Sequence, residues 1–314
     1  MRLATIDMYE QHRATMAVQP WAGQRPGSPR VHLLGIDTNE RLVALDGGRA
    51  YPIDVGGELA ELLSLGVDPR VHVSEDALPG ADSKLRQRAP LRPRKIVAIG
   101  LNYLDHIREA GVERPSQPVV FAKFASSVIG PDEPIVIDPS LTTRVDWEVE
   151  LAVVIGRRLR NAGPEEARAG IFGYTVANDV SARDVQFGDG QWVRGKSFDT
   201  FCPIGPVVVT PEEVPDPQQL VLRTRVNGEV VQESSTSEML FGVVELLEYC
   251  SRSFTLEPGD VVLTGTPWGC GEFMDPPRAL ADGDVVETEI EGIGCLRNPV
   301  VAAGARVPSA VPLG

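Results

Sequence analysis

The sequence predicts a β-rich α+β protein, and three observations carry that expectation. From Lys95 onward, apolar runs rich in β-branched residues recur between Gly and Pro turns, segments with helical spacing are few, and no repeat of fixed period is visible. With 314 residues, 42% of them hydrophobic, the chain can bury a full core.

Before about Pro93, short strand-like runs alternate with turns. Val31 to Ile36 precedes Asp37-Thr38-Asn39 and Leu42 to Leu45 precedes Asp46-Gly47-Gly48, so both read as hairpins. Leu59, Leu62, Leu63 and Leu65 recur at near-helical spacing and predict a short amphipathic helix over Gly57 to Leu65. The basic, Pro-containing stretch Ala89 to Lys95 reads as a joint. A small N-terminal α+β domain is therefore expected over residues 1–93, a larger domain over 94–302 and a loose tail over 303–314. In the larger domain the strand runs are Ile96 to Gly100, Val145 to Ile155, Gly173 to Ala177, Val207 to Thr210, Leu220 to Val226 and Val261 to Thr264. Helices are expected over Asn102 to Ala110, Pro164 to Ala169 and Ser237 to Ser253, the last with Met239, Val243, Leu246, Leu247 and Cys250 on one face.

Composition narrows the function. A net charge of −14 argues against nucleic acid as a partner, because such binding draws on clustered Lys and Arg. An anionic substrate needs a local positive centre instead, supplied by a divalent cation or by a lysine in acidic surroundings. No run of about 18 apolar residues is present, and Met1 to Ala17 lacks the apolar core of a secretory signal, so a cytoplasmic protein without a membrane partner is expected. Cys202, Cys250, Cys270 and Cys295 are scattered without a Cys-x-x-Cys pair and read as free thiols; Cys270 has no histidine near it in sequence.

Two clusters carry chemistry. In Val145-Asp-Trp-Glu-Val-Glu-Leu151 a strand puts Asp146, Glu148 and Glu150 on one face, where mutual repulsion calls for a cation. A solvated acidic face reads equally well from this motif alone, but the apolar run from Ile171 ends in Asn178-Asp179 and offers a third carboxylate to complete a facial set. All-oxygen ligation by Glu148, Glu150 and Asp179 suits Mg²⁺, Mn²⁺ or Ca²⁺ and not zinc. His106 and Glu109 stand three apart on the helix after Gly100-Leu-Asn-Tyr103, with Asn102 as a fair N-cap and Gly111 as a stop. A carboxylate beside an imidazole orients its proton and equips it as a general base, although a surface His-Glu pair has the same spacing. Asn227-Gly228 reads as a hairpin turn, and the Gly-rich loop Thr264 to Gly271 lacks the Gly-Lys-Ser/Thr ending of a phosphate cradle.

Seven motifs fall in one order: Gly100-Leu-Asn-Tyr-x-x-His-x-x-Glu109, Trp147-Glu-Val-Glu-Leu151, Asn178-Asp-Val-Ser-Ala-Arg-Asp-Val-Gln186, Gly195-Lys-Ser-Phe-Asp199, Val226-Asn-Gly-Glu229, Pro258-Gly-Asp-Val-Val-Leu-Thr-Gly-Thr-Pro-x-Gly269 and Ile290-Glu-Gly-Ile-Gly294. Over about residues 90 to 302 this resembles the C-terminal domain of the fumarylacetoacetate hydrolase superfamily. The resemblance implies a mixed β-sandwich or roll, usually a homodimer. It implies metal carboxylates at Glu148, Glu150 and Asp179, and a water-activating dyad at His106 and Glu109 on a helix that orders as the site closes. It further implies a substrate-contacting lysine at Lys196 and a pocket lined by Gln186 and Thr266, with Arg183 nearby.

The activity so implied is metal-dependent cleavage of a carbon–carbon bond in a small 2,4-dioxo acid such as an acylpyruvate. Three other activities share the same enolate: isomerisation of hydroxymuconate-type diacids, decarboxylation of oxaloacetate, and elimination from sugar-derived 2-oxo acids. A metal-binding scaffold without catalysis is the reading from outside enzymology.

Overall fold

The computed structural model describes residues 32–36, 41–46, 49–53, 58–74 and 87–304; the turns expected at residues 37–39 and 47–48 and the tail beyond residue 304 lie outside them. Strands β1 (His32–Ile36), β2 (Arg41–Asp46), β3 (Arg49–Pro52) and β4 (Gln87–Arg88) come first, with helix α1 (Leu59–Ser64) among them. Strand β5 (Ile96–Gly100) leads into helix α2 (Leu104–Ala110), then β6 (Val119–Lys123), β7 (Val128–Ile129), β8 (Ile135–Ile137), β9 (Val145–Asp146) and β10 (Val149–Ile155). Helix α3 (Pro164–Ala169), β11 (Ile171–Asn178), β12 (Ser181–Ala182), helices α4 (Arg183–Asp189) and α5 (Val193–Lys196) and β13 (Cys202–Val209) follow. The last third holds β14 (Val221–Val226), β15 (Glu229–Ser235), helix α6 (Val243–Ser253), β16 (Val261–Leu263), β17 (Val285–Ile290) and β18 (Gly294–Ala302). This is the strand-rich α+β architecture expected from the sequence.

The main sheet runs β3-β2-β1-β13-β11-β10-β16-β5-β6, with β16 and β5 parallel and the other neighbours along that path antiparallel. A second sheet runs β15-β14-β17-β18-β8. Every residue of β10 and β11 is buried, which is why their sequences read as nearly unbroken apolar runs. Side chains alternate between two cores: Val149, Leu151, Val153 and Ile155 pack with Leu246, Leu247 and Cys250 of α6 and with Leu222, Ile290 and Leu296 of the second sheet. Ala152 and Val154 face the other way, against Leu59, Leu62 and Leu63 of α1. Strand pairing therefore crosses the joint placed near residue 93, since β1 pairs with β13.

Several boundaries differ from those expected, among them the start of β13, at Cys202 and not Val207. The run Val145 to Ile155 is broken after Asp146, because β9 pairs with β12 while β10 pairs with β11. The Asn178 amide oxygen accepts the Glu148 N–H at 2.9 Å across that break. Helix α6 starts at Val243, and the residues before it form a 3₁₀ turn over Thr236–Glu238 followed by a strap. Asn102 does not cap α2: its side chain donates to the carbonyls of Thr264 at 2.8 Å and Phe241 at 3.1 Å and accepts the Phe241 N–H at 2.9 Å, tying strap to loop. Gly111 ends α2 in the left-handed conformation, as its position after the helical run predicts. Leu65, counted on the apolar face of α1, lies beyond the helix and is exposed.

Candidate active site

The break between β9 and β10 delivers Glu148, β10 delivers Glu150, and the residue after β11 is Asp179; the Asp179 N–H closes the corner on the Glu148 carbonyl at 2.8 Å. All three carboxylates are buried and lie within 4.8 Å of one another. Lys196, at the end of α5, places Nζ 2.6 Å from Glu148 and 2.8 Å from Asp179. Arg183, at the start of α4, reaches Glu148 at 2.7 Å, Asp146 at 2.8 Å and the Gln186 amide oxygen at 3.0 Å. Lys123, at the end of β6, binds the other oxygen of Asp179 at 2.6 Å and also meets the Lys196 carbonyl.

Burial opposes ionisation of Glu148, yet Lys196 and Arg183 outweigh it and hold that carboxyl below its ordinary range. Glu150 goes the other way. Burial first, then the charges of Asp179 and Glu148, push it well above the ordinary range, and its hydrogen bond from the Gly265 N–H at 2.6 Å does not compensate. Burial likewise works against the Lys196 ammonium, but Asp179 and Glu148 raise its pKa on balance. Four carboxylates, Asp146, Glu148, Glu150 and Asp179, thus meet three cations, Lys123, Lys196 and Arg183, and among the described residues Glu150 makes no ion pair. The donor set is all oxygen, convergent and short of positive charge, so it fits a hard divalent ion. A fold gains nothing from such a cluster for stability alone: apolar residues in its place are often neutral or stabilising by about 1–4 kcal/mol.

Asp146 is not a fourth member of that oxygen set. Its carboxylate accepts the N–H groups of Trp147 and Gly271 at 2.8 Å each and of Glu272 at 3.1 Å, and it pairs with Arg183, so it fixes the loop after Gly269. The loop Thr264 to Gly269 passes beside Glu150. Gly265 (φ +97°) and Gly269 (φ +93°) take left-handed backbone, and a Cβ on Gly269 would stand 2.2 Å from the Val231 carbonyl oxygen. Gln232, fully buried, donates to Thr266 Oγ1 at 3.1 Å and to the Pro267 carbonyl at 3.0 Å, holding the loop from beneath.

Helix α2 presents His106 to this same region. Its Nδ1 lies 3.1 Å from Glu109 Oε2, while Glu109 Oε1 accepts the Gly269 N–H at 2.8 Å. The Phe273 ring stands edge-on to the imidazole at 5.4 Å between centroids. His106 is near enough to Glu148 that a proton taken up by the imidazole would favour the ionised carboxyl. Nine residues singled out from the sequence, His106, Glu109, Glu148, Glu150, Asp179, Arg183, Gln186, Lys196 and Thr266, therefore line one buried region. Lys123 and Gln232 were not foreseen; the signal for Lys123 is a lone cation ending the apolar run Val119-Val-Phe-Ala.

The family model described as Fumarylacetoacetate (FAA) hydrolase C-terminal matches residues 95–301. A mitochondrial oxaloacetate tautomerase of Xenopus laevis is 45% identical over 269 residues, covering 82% of this chain and 84% of its own length. Two solved structures are similar throughout. A fumarylacetoacetate hydrolase from Exiguobacterium antarcticum has TM-score 0.77 and 40% identity, covering 87% of this chain and 99% of that one. A 5-carboxymethyl-2-hydroxymuconate delta-isomerase from Mycobacterium smegmatis has TM-score 0.72 and 40% identity, covering 88% and 100%. With most of its length matched in fold and sequence and the family's motif residues gathered at one site, the chain belongs to the fumarylacetoacetate hydrolase family of enzymes.

Proposed function

We propose that the chain catalyses proton transfer at the carbon next to the keto group of a small 2-oxo diacid, interconverting its keto and enol forms with a divalent cation as cofactor. The observation that carries this reading is the meeting of a buried three-carboxylate cluster with an imidazole held by a carboxylate. The resemblance to an oxaloacetate tautomerase and to a muconate-type isomerase moves this reading ahead of the acylpyruvate hydrolysis expected from the dyad.

Glu148, Glu150 and Asp179 would hold the ion, Mg²⁺ first and Mn²⁺ or Ca²⁺ after it. When bound, such an ion supplies positive charge for the oxygen that gains negative charge as the proton leaves, worth several kcal/mol. The remaining work falls to the chain. Glu109 fixes the His106 proton on Nδ1, so Nε2 has a free lone pair and takes the substrate proton. Lys196 stays an ammonium in its acidic surroundings and contacts substrate oxygens, while Gln186, Arg183 and Thr266 line the place where the rest of the substrate sits.

Hydrolysis of a 4-acylpyruvate remains the second reading, favoured by the dyad itself: the same His106 lone pair can take a proton from water instead of carbon. The test mixes the purified protein with oxaloacetate, acetylpyruvate and a muconate diacid, with Mg²⁺ or with EDTA, and follows enol absorbance and products. Acceleration of keto–enol exchange that EDTA abolishes and that leaves the carbon skeleton whole supports tautomerisation. Acetate and pyruvate from acetylpyruvate support hydrolysis, and no metal-dependent change with any substrate favours a binding scaffold. In the active assay His106→Ala should lower kcat by roughly 10²–10⁴-fold while Mg²⁺ affinity by calorimetry survives; unchanged turnover removes the dyad from the scheme.

A further inference from the structure

The proposed chemistry leaves unused a buried thiol that stands beside the dyad. Cys270 is fully buried, and its Sγ, a ring nitrogen of His106 and a carboxylate oxygen of Glu109 all lie within 4.8 Å of one another. The fold thus brings to the thiol a histidine that stands far from it in sequence. Sulfur, imidazole nitrogen and carboxylate oxygen together make the donor set of a borderline-soft ion, unlike the all-oxygen cluster of Glu148, Glu150 and Asp179. We propose that His106, Glu109 and Cys270 form a second metal site, selective for Zn²⁺ or another thiophilic divalent ion, whose filling silences the enzyme by occupying its dyad.

The surroundings meet the requirements of such a site. His106 and Glu109, three apart on α2, share a face, and the second Glu109 oxygen is anchored by the Gly269 N–H at 2.8 Å, so the carboxylate is oriented from behind. The Gln232 amide nitrogen lies 3.9 Å from Cys270 Sγ and offers it an N–H, and the Arg183 charge also acts on that sulfur. Burial, with the charge of Asp146, holds the thiol well above its ordinary range, so without an ion it stays protonated and unreactive; coordination forms the sulfur–metal bond and releases that proton to solvent. Glu109 is the least buried of the three, its side chain 15% exposed against 8% for His106, so the way in passes it. Three protein donors leave a fourth position for water.

The silencing half of this inference rests on the proposed role of the dyad, whereas the site itself does not. The experiment therefore starts spectroscopically: full-length protein saturated with Mg²⁺ is titrated with Co²⁺, a coloured stand-in for Zn²⁺. A thiolate-to-cobalt charge-transfer band that saturates at one equivalent and is displaced by Zn²⁺ is expected. Cys270→Val and His106→Gln should each lose the band. During turnover, Zn²⁺ should inhibit in a way that excess Mg²⁺ does not relieve. Cys270→Val, with basal turnover unchanged, should weaken that inhibition by at least about tenfold. No band in the parent protein, or a band kept by Cys270→Val, overturns the site. Inhibition relieved by Mg²⁺ overturns the silencing and moves the zinc to the carboxylates. Because the band needs no substrate, a wrong substrate assignment leaves the test of the site intact.

Discussion

At the scale of single residues, the two outer glutamates of the cation cluster pull in opposite directions. The folded pKa of Glu148 lies below the ordinary glutamate value of 4.5, so it contributes stability that is present above that value and fades as pH falls through the lower folded one. The folded pKa of Glu150 lies above 4.5, so within that window the folded chain keeps a proton the unfolded chain has released. Stability of the cation-free protein must then fall as pH rises through the window. Glu150→Gln should flatten that fall in thermal melts with EDTA, and Mg²⁺ should raise the melting midpoint of the parent protein but not of the variant. A variant as responsive to Mg²⁺ as its parent would take Glu150 out of the ligand set. The carboxylates of the cluster, Lys196 and Arg183 were legible because each stands in a short motif whose spacing has chemical sense. Lys123 and Gln232 were not, since each joins the site only through partners more than thirty residues away, and the approach of Cys270 to the dyad likewise leaves no local spacing to record it.

At the scale of elements, strand β5 and helix α3 came out of the sequence with their observed ends, one from an apolar run between Lys95 and a Leu-Asn turn, the other from Pro at its first position. Helices α4 and α5, of 7 and 4 residues, are too short to establish a helical period, and so no helix was expected over the segment carrying Arg183, Gln186 and Lys196. The interruption between β9 and β10 is imposed by pairing with two different strands, which the residues of the run themselves do not announce. Strand β17 was not among the expected runs, although its buried Val286, Thr288 and Ile290 alternate with Glu287 and Glu289. The loop Thr264 to Gly269 is sensitive to a single change. Gly269→Ala forces a Cβ against the Val231 carbonyl at a backbone angle that disfavours it, at a cost of about 1–3 kcal/mol. Its displacement also withdraws the N–H that Glu109 holds, so turnover should drop together with stability in urea. Lost stability with unchanged kcat would disconnect the loop from the dyad.

At the scale of the whole molecule, the fold class followed from the balance of apolar runs over helical ones, and the family from the order of many motifs, each common alone. The order of strands within the sheets did not follow, because pairing across the chain leaves no local trace. Among the described residues no helix is long and apolar enough to cross a membrane. The basic, Pro-containing joint near residue 93 stands out in sequence, yet Leu59, Leu62 and Leu63 share one core with Ile96, Ala98 and Val208. Calorimetry and tryptophan fluorescence should therefore trace one unfolding transition; two resolved transitions would make the first ninety-odd residues an independently folding unit. The double grip of Glu109 reaches furthest. One oxygen steadies the imidazole and the other clasps the rim of the loop, so an outward swing of α2 gives up the Gly269 N–H and carries His106 away from Glu148 in the same movement. On the proposed chemistry, sealing and arming would be one event, and a product leaving through a parted mouth would pass a base no longer set to convert it back.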